Sequence, residues 1–165
     1  MTTDKASAIV QIHKIYIRAT PQAIWDAITK PEWTERYGYQ GRAEYDLRPG
    51  GAYRALSSKE MVSMGVPEVA VDGEVIEADP PRKLVHTYRF LFSPQMLAEG
   101  FTRVTWEIAE TGAGFSRLTV THELEGAPIM AGMVESDFSV QGAGGWGWIL
   151  SDMKSLLETG KALSG

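Results

Sequence analysis

The chain contains no cysteine. That absence excludes disulfide frameworks, thiolate zinc sites, iron–sulfur clusters and cysteine nucleophiles. It also suits a reducing compartment, and we expect the cytoplasm. Long apolar runs are missing as well. No stretch approaches the ~18 residues that a bilayer-spanning helix needs, and the opening residues 1–14 lack the apolar core of a secretory leader, so no membrane insertion is expected. Basic clusters are absent: the net charge is −5, whereas a nucleic-acid binder needs a basic face to displace phosphate counterions. The acidic excess reads as solubility. There is no internal repeat, no low-complexity tract and no linker, so residues 1–165 read as one domain with its core over about 9–163.

Apolar residues make up 44% of the sequence, ordinary for a globular protein. A chain of this length buries roughly 70% of its unfolded surface and needs neither disulfide nor metal to hold a core. Residues 9–19 alternate as a strand, with Ile15, Ile17 and Ala19 opposite Tyr16 and Arg18. Thr20-Pro21 reads as an N-cap followed by a first-turn proline. Ile24, Trp25 and Ile28 then share a helical face, until Pro31 forces its predecessor out of the α region. A second short helix is expected over 31–37. Six further strands follow at 43–47, 52–56, 71–78, 83–90, 102–109 and 117–124, separated by turns such as Arg48-Pro49-Gly50-Gly51 and Thr111-Gly112-Ala113-Gly114. The tail reads as a helix with Trp146, Ile149, Leu150, Met153, Leu156 and Leu157 on one stripe. Ser151, Asp152, Lys154, Ser155 and Glu158 fall opposite, and Gly160 stands at the C-terminal cap. Segments 57–68 and 126–144 are ambiguous: the first is polar with Met61, Met64 and Gly65, and the second carries Met130, Met133, Val134 and Phe138 at roughly helical spacing. Short turns favour antiparallel neighbours, and such a sheet needs the terminal helix as its cover.

Three histidines are present. None pairs at a metal-ligand spacing. By strand parity His86 and His122 both point inward, either as a polar pair in a cavity or as separately satisfied core residues. The strand carboxylates alternate with apolar positions and so face water, with the parity of Glu77 ambiguous. Nothing makes two acids converge as glycoside or proton-transfer chemistry requires. No nucleophile elbow, dinucleotide fingerprint or Walker loop occurs. The run Gly142-Ala143-Gly144-Gly145 precedes a helix, where its N–H groups suit either an anion or simply a tight turn. Trp148 points away from the apolar stripe, and either marks a homodimer contact or packs under a loop.

Several strings in order carry a resemblance. They are Ala19-Thr20-Pro21 with Trp25, then Thr29-Lys30-Pro31-Glu32-Trp33, then Asp46-Leu47-Arg48-Pro49-Gly50-Gly51-Ala52-Tyr53-Arg54. Further along come 73–85 (Gly73 through Asp79-Pro80-Pro81-Arg82 to Val85), Leu118-Thr119-Val120-Thr121-His122, and Gly144-Gly145-Trp146 ahead of Leu156-Leu157-Glu158-Thr159-Gly160. Together the chain resembles the SRPBCC (START/Bet v 1-like) superfamily, in its bacterial branch named for the activator of heat-shock-protein-90 ATPase. Segments 57–68 and 126–144 depart from that pattern. The resemblance implies an α+β helix-grip fold: a curved antiparallel β-sheet wrapped around a long C-terminal helix, with two short helices after the first strand. It also implies an apolar cavity between them.

On that expectation the candidate lining is Tyr53, His86, Tyr88, Trp106, His122, Phe138, Trp146, Leu150 and Met153, with the stretch 130–138 as a gate. Mostly apolar walls with a few polar anchors suit a small hydrophobic ligand such as a lipid, polyketide or aromatic compound. Neither cofactor nor catalytic residue is expected. Two alternatives follow from the same resemblance. One is a polyketide cyclase or dehydratase acting through the cavity histidines and a tyrosine. The other is a co-chaperone or similar partner-binding module with an exposed apolar patch around Trp148.

Overall fold

The computed structural model describes residues 9–135 and 144–163. Strand β1 (Val10–Ile17) leads into helices α1 (Pro21–Thr29) and α2 (Pro31–Thr34). Then come β2 (Arg42–Tyr45), β3 (Ala52–Leu56), α3 (Lys59–Ser63), β4 (Val69–Asp79), β5 (Lys83–Phe90), α4 (Pro94–Glu99), β6 (Thr102–Glu110) and β7 (Ser116–Glu123). Helices α5 (Pro128–Glu135) and α6 (Gly145–Thr159) close the chain. The seven strands form one antiparallel sheet in the order β1-β7-β6-β5-β4-β3-β2. Every neighbouring pair but one follows directly in sequence; β1 and β2 stand at opposite edges, and the α1–α2 segment carries the chain between them. This is the α+β helix-grip architecture, a curved sheet closed by a C-terminal helix.

Local chemistry accounts for the elements. Thr20 Oγ1 accepts the Ala23 N–H at 3.1 Å and Pro21 opens α1. That helix buries Ile24, Trp25, Ala27 and Ile28. At the other end of the chain, Gly160 adopts φ +82° and donates its N–H to the Leu156 carbonyl, terminating α6. The left-handed conformation there is what favours glycine. On β5, β6 and β7 the inward residues Leu84, His86, Val104, Trp106, Leu118, Val120 and His122 are all buried. Each fully buried aliphatic side chain among them contributes about 1.5–3 kcal/mol.

The sheet bends at β4. Gly73 lies so close to β5 that a Cβ on it would stand 2.0 Å from the Thr87 carbonyl oxygen. The next amide, Glu74 N–H, is taken by the Thr87 hydroxyl at 2.8 Å. Two residues further on, the β4–β5 register shifts between Val75 and Glu77. Such irregularities increase twist and curl a sheet. The shift also settles Glu77, whose side chain is half exposed and lies 3.7 Å from Lys83 Nζ. On the outer face Arg89 grips Asp72 through two hydrogen bonds of 2.8 and 3.0 Å, and Arg54 reaches Glu44 at 2.7 Å.

Three differences from the sequence reading concern helices. Helix α2 ends at Thr34, three residues short of the expected Tyr37, and the chain then turns. The segment 57–68 contains the short helix α3, Lys59–Ser63, capped by the Ser58 hydroxyl on Met61 N–H. Helix α4, capped in the same way by Ser93, was not anticipated. Asp152 is the main correction: it does not face solvent but is completely buried. Its carboxylate accepts the Gly38 N–H at 2.7 Å and also the Leu163 N–H, tying α6 to the loop after α2 and to the tail.

Among the described residues no helix is long and apolar enough to cross a membrane. No group of three or more described His, Asp or Glu side chains is placed to hold a metal ion.

Candidate functional site

Between the inner face of the sheet and α6 lies an open cavity of about 330 Å³. Its floor is aromatic. Trp106 from β6 and Trp146 from α6 meet edge to face at 5.3 Å between ring centroids. Tyr88 from β5 stands beside Trp146 at 6.1 Å. Tyr53 from β3 stacks on Tyr45 from β2 at 4.6 Å, with 25° between the planes. The walls come from the loop after α2 (Tyr37 to Gly41), from Phe90 and Phe92, and from Met61 of α3 and Met133 and Val134 of α5. Among the described lining residues there is no Asp, Glu, Lys or Arg.

Four predicted residues line this space: Tyr53, Tyr88, Trp106 and Trp146. His86, His122, Leu150 and Met153 do not. They are buried to within 1% of completely, but pack behind the lining. Phe138 and the end of the expected gate lie outside the described residues. The sequence reading missed the tyrosines of 37–45, Met61, and the pair Phe90 and Phe92. Phe90 did carry a signal, since strand parity sets it on the face of His86 and Tyr88; Tyr39, Met61 and Phe92 lie in stretches with no clear period.

The histidines sit behind the indoles for a specific reason. Trp106 Nε1 donates to His86 Nε2 at 3.0 Å, and His86 Nδ1 lies 2.9 Å from the Thr87 carbonyl. An indole N–H is a donor only, so His86 Nε2 must accept and Nδ1 carries the proton. The second pair is built the other way round. Trp146 Nε1 donates to His122 Nδ1 at 3.0 Å, and His122 Nε2–H donates to Thr102 Oγ1 at 2.8 Å. That hydroxyl passes its own proton to the Tyr88 carbonyl, also at 2.8 Å. Both imidazoles are thus neutral, with both nitrogens occupied. Burial pushes His86 down to about 4. Burial, then the other histidines, pushes His122 down to about 3. Neither has the free nitrogen or the near-neutral pKa of a general acid–base.

The phenols are neutral too. Burial raises Tyr45, Tyr53 and Tyr88 above the usual tyrosine range, with neighbouring tyrosines adding to it. Tyr37 donates its hydroxyl to the Ala27 carbonyl at 2.8 Å, and Tyr39 accepts Gly144 N–H at 3.3 Å. The loop carrying both is held by Asp152 through Gly38, whose φ of +62° favours glycine.

A curved sheet gripping a terminal helix over an apolar hollow defines the helix-grip class of the SRPBCC superfamily. Within it, the chain belongs to the family described as Activator of Hsp90 ATPase homolog 1-like protein, whose sequence model matches residues 18–158. No curated protein matches the chain significantly. Among solved structures it is similar to protein MLL2253 from Mesorhizobium loti, at 18% identity and a TM-score of 0.66, over 90% of this chain and 96% of that one. It is also similar to the Aha1 dimer from Colwellia psychrerythraea, at 17% identity and a TM-score of 0.62, over 93% of this chain and 99% of that one. A third is DynU16, of the dynemicin biosynthetic locus, at 20% identity and a TM-score of 0.61, over 93% of this chain and 49% of that one. At these identities the likeness carries the fold alone.

Proposed function

We propose that this protein binds a small hydrophobic molecule inside the cavity and does not transform it. The observation that carries this reading is an open hollow of about 330 Å³ whose described lining is mostly aromatic and aliphatic and free of charged side chains. Removing apolar surface from water supplies about 25 cal/mol per Å². The neutral, fully hydrogen-bonded histidines speak against the cyclase or dehydratase alternative, because no group with a neutral-range pKa reaches the cavity from them. Native mass spectrometry of freshly purified protein tests the reading. An apolar adduct is expected on the wild type and is expected to be lost from Ala55→Trp, which fills part of the lined space. Bare wild-type protein, together with no thermal shift across lipids, polyketides and aromatics, would end it.

A second reading concerns assembly. The outward side chains of Val10, Ile12 and Tyr16 on edge strand β1 are 43%, 64% and 49% exposed, and the Colwellia relative is a dimer. A homodimer through β1 covers that face, whereas Trp148 is half-buried and offers less surface. A monomeric mass by sedimentation at high concentration would remove it. The co-chaperone alternative draws on the family name; failure to stimulate a chaperone ATPase would remove that.

A further inference from the structure

Three features of the cavity narrow what it takes, on the footing that it binds a small molecule at all. The first is shape. Tyr45 and Tyr53 are nearly parallel, Tyr53 and Tyr88 are inclined by only 18° at 6.2 Å, and two indoles close the floor. Rings favour offset stacking and edge contacts with other rings, so this wall is matched to a flat conjugated frame. A flexible alkyl chain gains no such geometry and loses more rotamer freedom on ordering. At about 330 Å³, the space lies at the small end of ligand pockets, which run from ~300 to 1,000 Å³.

The second feature is charge. No described lining residue carries one, and an ionised group brought into an apolar site without a partner is strongly disfavoured. The third is an unused donor. The Tyr88 side chain makes ring contacts, to Tyr53, His86, Phe90, His122 and Trp146. Its hydroxyl has no hydrogen-bond partner among the described residues, although Tyr88 lines the cavity. That phenol opens onto the cavity, where it is placed to donate to an acceptor on an occupant. Being neutral, it donates its proton and does not attract a cation.

We propose that the ligand is an uncharged, flat, conjugated ketone whose carbonyl oxygen accepts a hydrogen bond from Tyr88. Four probes separate the parts of this statement: 9-fluorenone, fluorene, fluorene-9-carboxylate and 1-decanol, each titrated calorimetrically into the wild type and Tyr88→Phe. Fluorenone and fluorene share one frame and differ at one oxygen.

In the wild type, fluorenone is expected to bind about tenfold more tightly than fluorene, and the carboxylate and decanol more weakly than either. In Tyr88→Phe the advantage of fluorenone is expected to vanish while fluorene is unchanged. Equal affinity for fluorenone and fluorene in the wild type overturns the carbonyl contact, and this comparison needs no variant to fold. Decanol binding as tightly as fluorenone overturns the flat frame, and carboxylate binding as tightly as fluorene overturns the neutral requirement. If no probe binds while an apolar adduct co-purifies, this inference fails and the cavity reading survives. If there is neither binding nor adduct, both fail.

Discussion

The two buried histidines make stability a function of pH. Their folded pKa values, about 4 for His86 and about 3 for His122, lie below the ~6.5 of an unfolded histidine. Between those limits the unfolded chain binds more protons than the native one, so stability is complete above about pH 6.5 and is lost as pH falls toward 3–4. Each histidine contributes a slope of about 1.4 kcal/mol per pH unit in that window. Thermal melts are therefore expected to be level from pH 7 to 8 and to drop steeply between pH 6 and 4. Thr102→Val, which leaves His122 Nε2–H without its acceptor, should cost on the order of 1–3 kcal/mol at pH 7. A variant as stable as the parent by chemical denaturation would contradict the hydrogen-bond assignment. Parity alone, with His86 alternating against Val85 and Thr87, was enough to turn both imidazoles inward. It gave no depth. Their distance from the cavity is set by Trp106 and Trp146, which arrive from β6 and α6 and stand in front of them; no local pattern records that.

At the scale of elements, Asp152 has the widest reach. On a helix wheel of 100° per residue it falls 40° from Leu156 and 60° from Ile149, on the flank of the buried stripe and not opposite it. Its charge suggested solvent. The structure buries it because two backbone amides, of Gly38 and Leu163, need an acceptor there. Asp152→Ala leaves both amides unsatisfied, which costs roughly 1–3 kcal/mol for each buried group. It also frees the loop whose Tyr37 and Tyr39 line the cavity, so ligand affinity should fall along with the melting temperature. Unchanged affinity would show that the loop is seated by other contacts. Helix α5 is held in a comparable way, with Glu99 at the end of α4 accepting the Ile129 and Met130 amides at 2.7 and 3.2 Å. The strands and α1 and α6 were legible from period and caps. Helix α3 was not, and α5 showed only in the roughly helical spacing of Met130, Met133 and Val134, since each is at most eight residues long and owes its place to partners distant in the chain.

For the molecule as a whole, the described charges lie on the outer face of the sheet or elsewhere away from the cavity, the buried Asp152 being bound by backbone amides. Ion pairs such as Arg89–Asp72 and Arg54–Glu44 sit on the outer face, and the described residues of the cavity lining include no charged side chain. Occupancy should accordingly be blind to ionic strength, because screening acts on charges exposed to solvent. The dissociation constant of an uncharged ligand is expected to change less than about twofold between 0.05 and 0.5 M sodium chloride; a steep decline with salt would contradict the neutral lining. At a hundredfold excess over Kd such a ligand adds about 2.7 kcal/mol to stability. The hollow itself was foreseen only through family likeness, since composition alone equally suits a filled core. Its indoles carry one more consequence. Trp106 and Trp146 face the cavity while their ring N–H groups rest on His86 and His122, so their ultraviolet emission reports on both. An occupant should alter it at constant pH, and acid should quench it as the imidazoles become cations, giving a dye-free optical readout of loading and of protonation in one sample.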